Sequence, residues 1–422
     1  MTRFGIICPP YPGHLNPQMV LGKELQSRGH GVIFLQIPDL EEKIESNGLD
    51  FYAVGETIYR PGTMAETFAN LGKLSSIDAL KYSLDFCVQM VHIICQDAPR
   101  GIEKLGIDAL IVDQLEIVGE SVAEALKLPY VTLSCGQAIH RRADVPPFYT
   151  PWGYSDTAPA RIRNQTAYYF LDRGCKPLLE AINRYRQAWG LSEYRHIYAA
   201  NAPTRLAQQP PAFEFPIHDP PENLHYVGPL RDSSKIPAPF PYEKLTGQPT
   251  IYASLGSVQG TKYPLFRRIA AACENLEVQL VIAHGGGLTP EEARSLPGNP
   301  LVVEYAPQPD ILARADLTIT HAGMNTILDS LTHGVPLVAI PITFEQPGNG
   351  ARIRSLKVGE VFSLKNKNIA ALRSTVQKVL TEGKYRENAA RVQESIARSG
   401  GVKQAADIIE RVTKTAKAEI SV

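Results

Sequence analysis

The sequence predicts an α/β protein of two domains, each built on a parallel sheet with helices on both faces. Three observations predict it. Apolar runs such as Phe4–Cys8, Ala109–Asp113 and Leu317–Thr320 show no polar alternation, as expected of strands buried on both faces. Helical segments alternate with those runs, and a strand–helix–strand order implies parallel pairs joined by crossovers. The chain has 422 residues, too many for one ordinary core and suited to two of about 200 residues each.

The first strand is Phe4–Cys8, followed by a Pro/Gly loop, Pro9 to His14. A helix is expected from about Pro17 to Ser27, with Pro17 in the first turn, where a missing N–H costs little. Val32–Gln36 is the second strand. Ala109–Asp113 is a strand ending in an acid, Glu116–Leu126 a helix and Tyr130–Ser134 a strand. The stretches 57–100 and 138–195 read as helices and loops of poor periodicity, either acceptor-binding elements or plain surface helices. Residues 231–249 are proline-rich, lack an apolar period and read as a linker. Strands then fall near Thr250–Leu255, Gln279–Ala283, Leu301–Tyr305, Leu317–Thr320 and Val335–Ile340, and helices occupy 386–415. The expected division is a first domain over 1–230, the linker 231–249, a second domain over 250–400, and a terminal helix in 401–422 packing back on the first domain.

Composition narrows the function. Lys+Arg and Asp+Glu balance at 43 each, so nothing in the net charge favours nucleic acid as a partner. The six cysteines form no C-x-x-C pair, which argues against a zinc site and fits a reducing compartment. No signal peptide is apparent and no apolar run approaches the roughly 20 residues of a membrane span. The expected place is the cytoplasm, with peripheral contact to a membrane left open.

Ligands of open α/β sheets bind at the carboxyl ends of strands, and the polar motifs cluster there. After Leu317–Thr320 come His321, Gly323, Asn325 and Thr326, with a helix opening at Gly323. Free N–H groups at a helix start attract an anion such as a phosphate, and His321, Asn325 and Thr326 add donors. Asp329 lies one turn on, on the face of Asn325, where a carboxylate can accept both hydroxyls of a ribose. Singly, Asn325 reads as a helix cap and His321 as a packed ring; in this order after a strand they point to a nucleotide.

Three further segments are weaker alone. Gly256-Ser257 ends a strand and offers a turn and a hydroxyl. Tyr305-Ala306-Pro307-Gln308 offers a ring and a backbone edge to a base. Glu345-Gln346 offers acceptors and donors to sugar hydroxyls. In the first half, His14 follows the first strand and Asp113 ends another strand of the same sheet, so a carboxylate could sit behind an imidazole base. No P-loop, G-x-G-x-x-G, H-E-x-x-H, G-x-S-x-G or Asp-x-Asp occurs. A metal for the diphosphate thus has no obvious seat, and none is expected.

Taken together, these residues resemble the UDP-sugar-dependent glycosyltransferases of the GT-B fold, the family of natural-product glucosyltransferases, over almost the whole length. His14 with Pro17 is similar to the family's histidine loop and Asp113 to its partner acid. Ser257, Tyr305 to Gln308, His321 to Asp329 and Glu345-Gln346 are similar to its donor signature. Tyr305, Asp329 and Glu345 stand where the common pattern has Trp, Glu and Asp. Val112 to Glu116, Ala253 to Gly260, Ile319 to Asp329 and Gln346 to Gly348 most resemble the branch of bacterial zeaxanthin glucosyltransferases.

The resemblance implies two Rossmann-like domains facing a central cleft and an inverting displacement from a UDP-sugar, UDP-glucose first. In it His14 is the base and Asp113 its support. His321, Gly323–Thr326 and Ser257 hold the diphosphate, and Glu345 and Gln346 orient the hexose. The implied partner is a small hydroxylated lipophilic acceptor such as a carotenoid. Phenolic, flavonoid or polyketide acceptors, a UDP-sugar epimerase and a non-enzymatic lipid carrier are the competing readings.

Overall fold

A computed structural model describes residues 1–73, 76–198, 202–232, 239–256 and 263–420. Its described strands form two sheets, and every strand pair is parallel. The first sheet has β1 (Arg3–Ile7), β2 (Gly31–Gln36), β3 (Asp50–Ala53), β4 (Ala109–Asp113), β5 (Tyr130–Ser134), β6 (Arg205–Ala207) and β7 (Leu224–Tyr226), in the order 3-2-1-4-5-6-7. The second has β8 (Thr250–Ser254), β9 (Gln279–Ala283), β10 (Leu301–Val303), β11 (Leu317–Thr320), β12 (Leu337–Ala339) and β13 (Gly359–Val361), in the order 10-9-8-11-12-13. Strand order reverses between β1 and β4 in one sheet and between β8 and β11 in the other. Crevices for ligands form at such switch points.

Both faces of each sheet are dry. Phe4, Ile6, Val32, Phe34, Ala109 and Ile111 enter a core under the helices Pro12–Ser27 and Gly401–Ile420. Their neighbours Ile7, Ile33, Leu35, Leu110 and Val112 enter the opposite core, under the helices Ser76–Leu105, Val118–Ala125 and Lys176–Ala188. Successive strand residues face opposite ways, so apolar character on both faces erases alternation from the sequence. The last helix packs on the first sheet's side of the molecule, where Arg28 pairs with Asp407 (2.6 Å) and His30 with Glu410 (3.0 Å).

Some boundaries differ from expectation. The first helix begins at Pro12, not Pro17, so His14 lies in its first turn rather than in a loop. Pro12 at the first position suits a helix start, and Pro17 falls inside. Pro17 has no N–H to return to the Gly13 carbonyl, and Asn325 Nδ2 donates to that carbonyl instead, at 2.8 Å. The helix after β4 is Val118–Ala125, and the strand expected over Val335–Ile340 is only Leu337–Ala339. Much of 57–100 is one long helix, Ser76–Leu105. Residues 233–238 of the expected linker lie outside the described residues, and 242–244 form a helical turn. No helix among the described residues is long and apolar enough to cross a membrane.

Candidate active site

The first switch point brings His14 to Asp113. Ile7 pairs with Val112, so the helix after β1 starts beside the end of β4. His14 Nδ1 lies 2.9 Å from Asp113 Oδ2. A carboxylate only accepts, so Nδ1 carries the hydrogen and Nε2 keeps the lone pair. Gln18 Nε2 also donates to Oδ2 (2.9 Å) and Leu115 N–H donates to Oδ1 (2.9 Å), which fixes the buried carboxylate. Burial alone would lower the His14 pKa. The charge and hydrogen bond of Asp113, with Glu345 and Glu116 farther off, outweigh it and raise the pKa above its ordinary value. Cys135 lies within 4.8 Å of the pair. Burial and the Asp113 charge push its thiol far up, which keeps it protonated and a poor metal ligand.

The second switch point holds His321. Thr320 pairs with Ser254, which sets His321 beside Gly256. A Cβ on Gly256 would lie 2.7 Å from the imidazole, and one on Gly323 would lie 2.5 Å from it. Two glycines thus admit the ring, so Gly256 serves His321 before it serves any phosphate. Between them Ala322 is buried in the left-handed region (φ 69°), a strained conformation of the kind found at ligand sites. Asn349 Nδ2 holds the Ala322 carbonyl at 2.9 Å. Gly323 caps the helix Met324–Thr332, whose first N–H groups face the strand ends. Burial pushes the His321 pKa down to about 4. The ring is therefore neutral near pH 7: it brings no charge and has one N–H, for which the Ser254 carbonyl and a bound phosphate are alternative acceptors.

Asn325 and Asp329 sit in a network that the sequence did not reveal. Asn325 Nδ2 spans to Gly13 of the first domain, and its Oδ1 accepts from Gln208 Nε2 at 2.9 Å and Arg231 Nη2 at 3.2 Å. One of its two amide hydrogens is therefore engaged by the first domain rather than aimed at a phosphate. Asp329 accepts from Arg231 Nε and Gln308 Nε2, both at 2.5 Å, and Tyr252 Oη donates to Gln308 Oε1 at 3.1 Å. Thr326 is buried on the same helix. Tyr305 lies at the rim and is 60% exposed. Ala306 leads from it toward Gln308. Ser257 lies outside the described residues.

Glu345 and Gln346 open the helix Gln346–Leu356 after β12. Burial raises the Glu345 carboxyl, against its own backbone N–H and His14, and a Cβ on Gly136 of the first domain would lie 4.0 Å from its Oε1. Gln346 Oε1 accepts from Ile342 N–H (2.8 Å) and Thr343 N–H (2.9 Å), which leaves only its NH2 for a sugar. The same helix meets the first domain closely. A Cβ on Gly348 would lie 2.1 Å from the Phe148 carbonyl. Buried Arg352 Nε donates to Glu214 Oε1 at 2.8 Å, and His140 Nε2 meets Glu214 Oε2 at 3.0 Å. Burial would raise Glu214, but Arg352 and His140 outweigh it and hold the carboxyl at about 2.

Sequence reasoning missed Gln18, Gln208, Arg231, Asn349 and Arg352. Gln18 alone carried a signal, standing one turn after His14 on the same helix face. The others act through long-range contacts that no local motif marks.

The chain is similar to known proteins along almost its whole length. The family model for UDP-glucoronosyl and UDP-glucosyl transferase matches residues 15–402. The chain is 32% identical to a zeaxanthin glucosyltransferase of Pantoea ananas over 100% of this chain and 98% of that protein. It is 32% identical to one of Pseudescherichia vulneris over 97% of this chain and 98% of that protein. The solved structure of CalG4, the calicheamicin glycosyltransferase, superposes with a TM-score of 0.76 at 20% identity, covering 98% of this chain and 99% of that one. That likeness shows the GT-B fold expected from the sequence. The chain belongs to the UDP-glucoronosyl and UDP-glucosyl transferase family and is a GT-B glycosyltransferase.

Proposed function

We propose that the chain is an inverting transferase that moves glucose from UDP-glucose to a hydroxyl of a carotenoid-like acceptor. The observation that carries this reading is the 2.9 Å contact of His14 Nδ1 with buried Asp113, opposite Glu345. His14 Nε2 takes the acceptor proton as the oxygen attacks C1, and Asp113 stabilises the imidazolium. The helix start at Gly323–Thr326 and neutral His321 receive the diphosphate, with Ser257 a further donor. Asp329 and Gln308 take the ribose, Tyr305 and Ala306 flank the base, and Glu345 with the Gln346 amide orients the hexose. No step needs a metal ion.

In this reading residues 1–230 bind the acceptor, 231–249 link the halves, 250–400 bind the donor and 401–422 return to the first domain. The names of the two relatives support a carotenoid acceptor. So does the helix Ala158–Gly174, which leaves Ile162 (64%), Tyr169 (62%) and Phe170 (63%) exposed. That face suits a lipid surface from which a lipophilic acceptor is drawn. The test is a donor and acceptor screen read by mass spectrometry, with UDP-glucose and dTDP-glucose as donors and zeaxanthin among the acceptors. A zeaxanthin glucoside formed from UDP-glucose is the expected product. Turnover of phenolic acceptors alone would overturn the acceptor class.

A further inference from the structure

Glu116 lies in the turn between β4 and the helix Val118–Ala125. Its N–H donates to the Asp113 carbonyl at 2.8 Å, beside the Leu115 N–H that holds Asp113 Oδ1. The turn that fixes the dyad's acid therefore fixes Glu116 as well. The residue is only 9% exposed, and among the described residues no hydrogen bond or ion pair meets its carboxyl. Its oxygens are not among the fully enclosed unpartnered atoms, so the carboxyl opens onto free space beside the His14–Asp113 pair, where a ligand can meet it.

We propose that Glu116 orients the acceptor hydroxyl beside His14, an inference that rests on the glycosyl-transfer reading above. A hydroxyl has one hydrogen and two lone pairs. Its hydrogen goes to His14 Nε2, and one lone pair takes the hydrogen of the Glu116 carboxyl. The remaining lone pair is then aimed at C1 of the donor sugar. In the reaction that pair forms the new C1–O bond and the diphosphate leaves with the electrons of the old one. His14 ends with the acceptor proton, and Glu116 keeps its own.

The surroundings favour the protonated form this role requires. Burial, then repulsion by Asp113, push the Glu116 pKa up to about 8, and His14 pulls it back only in part. The other titratable groups within its field are Cys8 after β1, Tyr11 before the first helix, Cys87 and Cys95 on the long helix, and Tyr198. All five are raised by burial and uncharged near pH 7, and none supplies a cation.

The test compares Glu116→Gln and Glu116→Leu by UDP release from UDP-glucose with zeaxanthin, over a pH series. In the unaltered protein turnover should fall as pH rises through about 8, where Glu116 loses its hydrogen. Glu116→Gln, which keeps a donor at every pH, should stay within about threefold at pH 7 and lose that fall. Glu116→Leu should raise the acceptor KM about tenfold and leave the UDP-glucose KM unchanged, the worth of one hydrogen bond. An alkaline fall that persists in Glu116→Gln overturns the proposal, and so does an unchanged acceptor KM in Glu116→Leu. If the leucine variant does not fold, the glutamine pH profile decides. Failure of the unaltered protein to use zeaxanthin contradicts only the acceptor class, and the variants are then compared on the hydroxylated acceptor that the screen returns. Normal turnover by His14→Ala contradicts the base itself.

Discussion

At the carboxyl ends of β1 and β4 the first domain sets a histidine against a buried carboxylate, whereas at the ends of β8 and β11 the second holds a neutral ring with no carboxylate beside it. His14 is raised by Asp113 despite burial, and His321 is lowered to about 4 by burial because no carboxylate stands behind it. The same residue type at the same place in two similar sheets thus acquires opposite electrical roles. In the proposed reaction the first suits uptake of a proton, and the second suits N–H donation to an anion without exchange of protons. What decides between them is the partner on the adjacent strand: Asp113 at the end of β4, Ser254 at the end of β8.

The largest effect is expected at Asp113. Asp113→Ala should cut turnover about 10²-fold or more, since it also strands Gln18 and the Leu115 N–H. UDP binding should be unaffected, and a large loss of it would show that the halves are not separable. Asp329→Ala attacks the other half. It should weaken UDP binding about tenfold by calorimetry, the worth of one or two hydrogen bonds. Unchanged affinity would remove Asp329 from the ribose.

A pH series sharpens the contrast further. The His14 pKa is raised above 6.5, and a base must be unprotonated, so kcat/KM should climb with pH through a value above 6.5. UDP-glucose binding should stay flat between about pH 5.5 and 7.5, because neutral His321 does not titrate there. A binding curve that follows the turnover curve would contradict the assignment of a neutral donor. The smallest effect is expected at the surface. Replacing Ile162, Tyr169 and Phe170 with Ser should reduce co-sedimentation with lipid vesicles severalfold while sparing turnover of a detergent-dispersed acceptor. Equal sedimentation would remove that helix from the lipid contact.

The fold was legible because the central strands, such as β1, β4 and β11, are apolar on both faces. Phe4, Ile6 and Ile7 mark β1 wherever they point. The short strands β3, β6, β7 and β13 escaped, since three or four residues carry too little pattern to separate from a loop. At the site, His14, Asp113 and the His321 helix were visible as residues placed just after strands. Their electrical states were not, because they depend on burial and on neighbours from distant strands. Arg231 and Gln208 were invisible for the same reason: each reaches Asn325 across the cleft from a segment without a motif. Pro17 misled, since its missing N–H marked a helix start in one dimension and a contact to Asn325 in three.

The central claim is that His14 is the base and that the second domain alone holds the donor. Its most direct test is His14→Ala, measured for acceptor-dependent UDP release and, separately, for UDP-glucose affinity. Turnover should fall at least about 10²-fold with donor affinity unchanged. Normal turnover, or a loss of donor affinity large enough to account for the lost rate, would contradict it.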